Sequence, residues 1–199
     1  MMTVDEFLMK LNACEEAVLW SKSIRTFEDL WRECSHIEWM LWMFQQLGYE
    51  NQPKLRLCAT SCVRRFWNLL IDPRSRQAVE IAEQFTVNAA TSAQLRTARQ
   101  NARAAMDDVA VIPQWSASVA IAATAAYHTT RASAVEAARH STSHCLRVAV
   151  WHWNAETASQ REELWQIGVL REMVEPDFPV LVKLAYEKIE LIEGCRGSA

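Results

Sequence analysis

The chain has 199 residues, 50% hydrophobic and 23% charged, with a net charge of −3 and a pI near 6.0. This is the composition of a globular protein able to bury a substantial core, and its near-balanced charge exerts no global pull toward nucleic acid. Glycine occurs only four times; it costs a helix interior about 1 kcal/mol relative to alanine, so its scarcity points to a mostly helical chain.

The N-terminal residues "MMTVDEFLMK" place two acids before any base and lack the basic start and apolar run of a secretory signal. This predicts a cytoplasmic protein whose six cysteines are reduced thiols, not a disulfide framework. Helix starts are legible from capping patterns. Thr3 with Glu6 and Ser35 with Glu38 fit the capping box, as do Thr91 with Gln94 and Ser159 with Glu162; Thr26 with Asp29 is a weaker version. Asp72-Pro73 sets an N-cap acceptor before a proline at the first helical position, and Pro53, Pro113 and Pro179 open helices in the same way. The resulting helices lie near 3–11, 13–22, 27–34, 36–47, 53–70, 73–86, 92–110, 113–129, 132–152, 157–174 and 179–192. The nearest approach to a strand, "RVAVW" at 147–151, sits inside a helical pattern.

Within "SHIEWMLWMF" (35–44), Trp39 to Phe44 are apolar without a break. Ile37, Leu41 and Phe44 form one stripe, Trp39, Trp42 and Met43 another, and Met40 and Leu47 a third; a helix apolar on nearly every side belongs in a core. Twelve residues of helix span about 18 Å, too short for a bilayer. The uncharged run Val109–Thr130 is mostly alanine, interrupted by Pro113 and Gln114, and reads as a buried helix, so no membrane association is expected. Residues 89–149 hold 19 alanines. No linker separates this part from the Trp-rich part before it. The expectation is therefore an all-α protein with about 9–11 helices in a bundle or compact array. It forms one domain over 1–199, with a Trp-rich half at 1–88 and an Ala-rich half at 89–199.

Charge is uneven. Residues 1–50 hold four bases and nine acids, residues 51–103 nine bases and three acids, and residues 155–199 five bases and nine acids. The basic middle contains Arg64, Arg65, Arg74, Arg76, Arg96, Arg99 and Arg103, the last three on one helix face. Guanidinium forks suit carboxylate or phosphate, so the cluster reads as a recognition surface for a protein, or alternatively for nucleic acid; pairing with the chain's own acids is the plainer reading. Arg74 and Arg76 stand in the first turn of a helix, where cations oppose the dipole, which calls for a compensating anion at Glu80, Glu83 or a partner.

Cys58 and Cys62 are spaced i, i+4, as are His140 and His144. Were their helices to meet, the four would form a tetrahedral zinc site; a buried role for the thiols is the alternative. Without such a site no cofactor is expected. No nucleophile elbow or phosphate loop is present, and the acid pairs Glu15-Glu16, Asp107-Asp108 and Glu162-Glu163 read as solvated helix turns, so a non-enzymatic role is expected. Trp151 and Trp153 lie about 200° apart on a helix and cannot share one seam; an exposed member would suit a protein interface.

The run "KLRLCATSCVRRFWNLLIDPRSRQAVEIAEQF" (54–85) resembles an uncharacterised bacterial family of Ala-rich helical proteins, through Lys54–Leu57, Cys62, Arg64, Arg65, Trp67, Leu69, Leu70, Asp72, Arg74–Arg76, Ala78–Glu80, Ala82 and Glu83. Upstream, Cys14, Ala17 and Trp20, then Trp31 with Cys34, then Trp39-Met40-Leu41-Trp42 are similar to proteins grouped as immunity proteins. That resemblance implies a helical protein that blocks a toxin or effector by binding it. It brings no catalytic or binding residues to carry over.

Overall fold

A computed structural model describes residues 2–49, 52–111, 116–153 and 157–196. The described residues are helical and contain no strand: α1 (Val4–Lys10), α2 (Glu15–Ser21), α3 (Phe27–Glu33), α4 (Ile37–Leu47), α5 (Gln52–Arg64), α6 (Pro73–Thr86), α7 (Ser92–Ala110), α8 (Ala117–Thr129), α9 (Ala134–Trp153), α10 (Ala158–Met173) and α11 (Phe178–Arg196). The all-α expectation holds. No helix among the described residues is long and apolar enough to cross a membrane.

The chain divides into two compact units, one of residues 1–49 with 175–199, the other of residues 50–174. The cuts do not fall at the change of composition near residue 88; α6 and α7 pack together across it.

In the first unit, α1 opens with the expected capping box, Thr3 and Glu6 each accepting the other's backbone N–H. Thr26 accepts the Asp29 N–H at the start of α3. On α4, Ile37, Met40, Leu41, Met43, Phe44 and Leu47 are buried, whereas Trp39 and Trp42 are half-buried. The capping box expected at Ser35 is not used. His36 is the N-cap, without a side-chain bond. Gly48 ends α4 at φ +61°, the left-handed region where glycine is favoured. Aromatic rings dominate this core: Phe7 meets Phe27 edge-on at 5.0 Å, and Trp31 and Tyr49 each lie 5.2 Å from Phe44. Leu181, Ala185 and Ile189 of α11 are buried, and Lys10 pairs with Glu193 at 2.5 Å.

In the second unit α5 packs on α6, α8, α9 and α10, and α8 lies along α9. Ala122, Ala123, Ala125, Ala126, Ala134, Ala137 and Ala138 are all buried, so these backbones approach closely. The helix expected over 53–70 stops at Arg64 and is followed by a 3-10 turn at Trp67–Leu69. The residue before Pro73 is pushed toward extended backbone, and Asp72 takes it while capping α6, accepting the Arg74 N–H at 2.8 Å. Thr91 and Gln94 make the expected capping box on α7. Ser159 does not start α10; the N-cap is Thr157, and Glu162 points into the unit. The helix start predicted at Pro113 lies outside the described residues, and α8 begins at Ala117.

Candidate functional site

The seven arginines of the basic middle all belong to the second unit, and most are engaged within it. Arg64 forms a two-pronged pair with Glu83 (both contacts 2.6 Å), its guanidinium 4.4 Å from the Trp67 ring. Arg74 pairs with Asp72 at 2.7 Å and Asp108 at 2.6 Å. Those carboxylates are the anion that its place in the first turn of α6 requires, in the role expected for Glu80, Glu83 or a partner. Arg103 pairs with Asp107 at 3.1 Å, and Arg99 donates to the Tyr127 hydroxyl at 3.3 Å. Arg76 lies over Trp67 at 5.7 Å. Arg96 is exposed and has no polar partner among the described residues. The cationic surface expected of this cluster is therefore not a free one; local carboxylates and rings occupy most of it.

Arg65 behaves differently. Its Nε donates to Glu162 at 2.9 Å, and its guanidinium lies 4.2 Å from the Trp165 ring and 5.6 Å from that of Trp153. Trp153 also rests on Phe66 at 5.4 Å. One arginine at the end of α5 thus holds aromatic rings of α9 and α10 in place, while its carboxylate partner is fully buried. Within this cluster Trp153 remains 42% exposed; Trp151 on α9 and Leu164 on α10 are each 63% exposed. An indole held partly in water by a fixed cation, as Trp153 is, suits docking.

Glu162 was expected in a solvated turn. Instead it occupies the buried stripe Ala158-Glu162-Gln166-Leu170 of α10. Burial raises its pKa, while Gln166 and Arg65 act in the opposite direction. Gln166 donates to it at 3.1 Å and reaches the Thr142 carbonyl at 3.3 Å.

The four residues of the expected zinc site are divided between two places. Cys58 and Cys62 are buried beside Cys145 and Glu162; the neighbouring Cys58 thiol and burial push the Cys62 thiol up, and burial does the same to Cys145. Buried thiols without a cation beside them stay protonated and are poor nucleophiles. His140 and His144 instead stack on His128 of α8 at 4.9 and 5.0 Å. On α9, Cys145 and His144 are adjacent and so point about 100° apart, which separates the thiol cluster from the imidazole stack. Among the described residues no group of three or more His, Cys, Asp or Glu is arranged to hold a metal ion.

The imidazole stack is itself unusual. Arg131 Nε donates to His128 Nδ1 at 2.9 Å, so that nitrogen is an acceptor and the ring is neutral. Burial, with His144, Arg131 and other cations nearby, pushes the His128 pKa down to about 3; burial, with Arg147, His140 and Arg131, takes His144 to about 4. The His144 Nδ1 is buried and has no hydrogen-bond partner among the described residues.

Sequence reasoning also missed Arg56, which is 1% exposed. It donates to the Thr129 carbonyl at 2.5 Å and the Ala132 carbonyl at 3.1 Å, and lies 5.4 Å from the Phe85 ring. It caps the C-terminal end of α8, where carbonyls lack partners and the dipole is negative. Burial pulls its pKa down to about 10, which still leaves it charged at neutral pH. Its small buried neighbours one turn on, Ala59 and Thr60, mark its face as an interior one.

These observations define an all-α protein whose second unit exposes Trp153, at the C-terminal end of α9, beside the Arg65–Glu162 pair. No family model, curated protein or solved structure matches the chain.

Proposed function

We propose that this chain is a non-enzymatic protein that works by binding another protein, through the C-terminal end of α9, where Trp153 lies beside Arg65 and Trp151 is exposed on another side of the helix. The observation that carries this reading is the exposure of Trp153 next to a guanidinium already fixed by a buried carboxylate. Tryptophan and arginine are the residues most enriched among interface anchors, and a fixed anchor loses little freedom on docking. Blocking of a toxin or effector in the cytoplasm, the role implied by the resemblance to immunity proteins, is the most concrete form of this function. The self-pairing of Arg64, Arg74 and Arg103 favours a protein partner over nucleic acid, because each such pair must break before it can neutralise a phosphate.

The test is co-purification of the tagged chain with candidate toxins encoded beside its gene, comparing the native chain with Trp151→Ala and Trp153→Ala. Capture should fall at least tenfold in the variants while their helical circular dichroism is unchanged. Capture that is equal in native and variant chains, or absent with every candidate, overturns the reading; a gel shift that weakens steeply with salt would favour nucleic acid instead.

A further inference from the structure

Within the first unit a cavity of about 230 Å³ opens to solvent, lined from α1, α2, α3 and α4. Its floor and its walls differ. Leu8, Ala17, Leu30 and Met43, one from each helix, line it and are at most 5% exposed, so the space reaches down to the core. Trp20, Trp39 and Trp42 also line it and are half-buried, so these indoles stand between core and solvent. Trp20 and Trp39 meet at 5.9 Å, which ties α2 to α4 beside the space. Side chains that border such a space lack the close-packed neighbours an interior supplies, and an apolar molecule that fits restores them.

The lining selects for a neutral ligand. No described Lys, Arg or His contributes to it, so an anion finds no partner there. A compact cation would exchange its water for a mostly apolar wall. Glu38 borders the cavity but is engaged in an interaction of its own, and recognition does not depend on it. One polar group is available. Asn12, in the loop between α1 and α2, lines the cavity and is exposed, and its side-chain amide makes no hydrogen bond to a described residue. An amide both donates and accepts, so it can meet a single polar group on a molecule whose body lies against the indoles. Size narrows the choice further. An apolar cavity of roughly 150 Å³ takes benzene, with its six heavy atoms; in proportion, this one takes about nine, the size of a fused bicyclic ring. Aromatic rings also gain more from aromatic neighbours than their buried area alone provides.

We propose that this cavity binds a small neutral aromatic molecule, a fused bicyclic ring with one hydrogen-bonding group, the ring against Trp20, Trp39 and Trp42 above Leu8 and Met43 and the polar group at Asn12. The site lies wholly within the first unit and is independent of the protein-binding reading of the second.

The structure also supplies a local reporter. Cys14 lines the cavity and is exposed, whereas Cys34, Cys58, Cys62 and Cys145 are buried. The experiment titrates the full chain with indole, followed by calorimetry, while peptide mass spectrometry measures the rate of Cys14 alkylation. Three further probes run in parallel: indole-3-acetate, which adds a charge; benzofuran, which keeps the ring size without the N–H; and N-acetyltryptophanamide, which stands for a partner's tryptophan side chain. Indole should bind saturably and slow Cys14 alkylation at least fivefold. It should outbind indole-3-acetate and N-acetyltryptophanamide at least tenfold, and benzofuran about fivefold. Ala17→Met, which fills the floor with an apolar chain, should weaken indole at least tenfold while helical circular dichroism is unchanged. Asn12→Gly suits the backbone there (φ 58°) and should abolish the preference for indole over benzofuran. Absence of indole binding, equal binding of indole-3-acetate, or binding that leaves Cys14 reactivity and the Ala17→Met affinity unchanged overturns the proposal. Equal binding of N-acetyltryptophanamide assigns the cavity to a protein contact and overturns it as well, and a preference over benzofuran that survives Asn12→Gly overturns the placement of the polar group.

Discussion

The two units solve the same packing problem with opposite materials. In the first, large side chains fill the interior, and among the described residues Ser21 is the only buried polar one. In the second, alanines bring the helices close and the interior admits Arg56, Thr60, Ser75, Ser118, His128, Thr129, Thr130, Ser141, Thr142, Glu162 and Gln166. Close backbones make this tolerable because a carbonyl of the same or a neighbouring helix is within reach: Ser141 donates to the Ala125 carbonyl at 3.1 Å, and Thr142 to the Ala138 carbonyl at 2.8 Å. An aromatic core is bound by volume, whereas an alanine core with buried polar groups is bound by partners. Deleting a partner should therefore be the costly change in the second unit.

The largest effect is expected at Arg56. Arg56→Met keeps much of the side-chain volume but strands the Thr129 and Ala132 carbonyls, and should cost about 3–5 kcal/mol in urea denaturation. A loss below 1 kcal/mol would break the contrast between the units. Next is Arg65→Leu, which leaves the Glu162 carboxylate buried and unpaired, at a cost of about 2–4 kcal/mol. The double change Arg65→Leu with Glu162→Met should recover most of that loss, and a double-mutant cycle measures the coupling.

Acid should act on the same unit. His128 and His144 are held neutral when folded, with pKa values pushed down to about 3 and about 4, whereas unfolded imidazoles take up protons near pH 6.5. Below pH 6.5 the unfolded chain therefore binds more protons. Stability should fall as the pH drops, and the loss from each histidine should level off once its folded pKa is reached. The loss is on the order of a few kcal/mol between pH 6.5 and 4, and urea midpoints at stepped pH measure it. In a His128→Asn, His144→Gln variant the slope between pH 6.5 and 5 should flatten. The smallest effect is a backbone one in the first unit: Gly48→Ala forces a β-carbon into φ +61° and should cost about 1 kcal/mol in thermal melts.

Much of the helical framework was legible because its signals are local. Thr3, Thr26, Asp72 and Thr91 all cap the helices they were read to start. Ser35 and Ser159 do not cap, the N-caps there being His36 and Thr157; Glu162, read as a capping partner, instead lies buried with Arg65 and Gln166. The site was less legible. Spacing showed that Cys58 pairs with Cys62 and His140 with His144, but spacing along one helix cannot say which face of another helix it meets. The likeness between exposed and paired arginines is a similar limit: Arg74 and Arg96 are the same residue type in the same basic stretch, and while Asp72 beside Arg74 is visible in the sequence, the three-dimensional arrival of Asp108 at 2.6 Å is not. The Trp151 and Trp153 geometry, by contrast, follows from helix rotation alone, and both rings are exposed as that rotation allows.

Trp67 has a mechanical consequence. Guanidinium groups from both sides of the turn, Arg64 at 4.4 Å and Arg76 at 5.7 Å, share its ring. The elbow between α5 and α6 is thereby clasped through a short-range attraction that dissolved salt screens less than it screens the exposed Arg64–Glu83 pair. The bend should keep its angle in brine that loosens the ion pair beside it, making this corner a rigid joint.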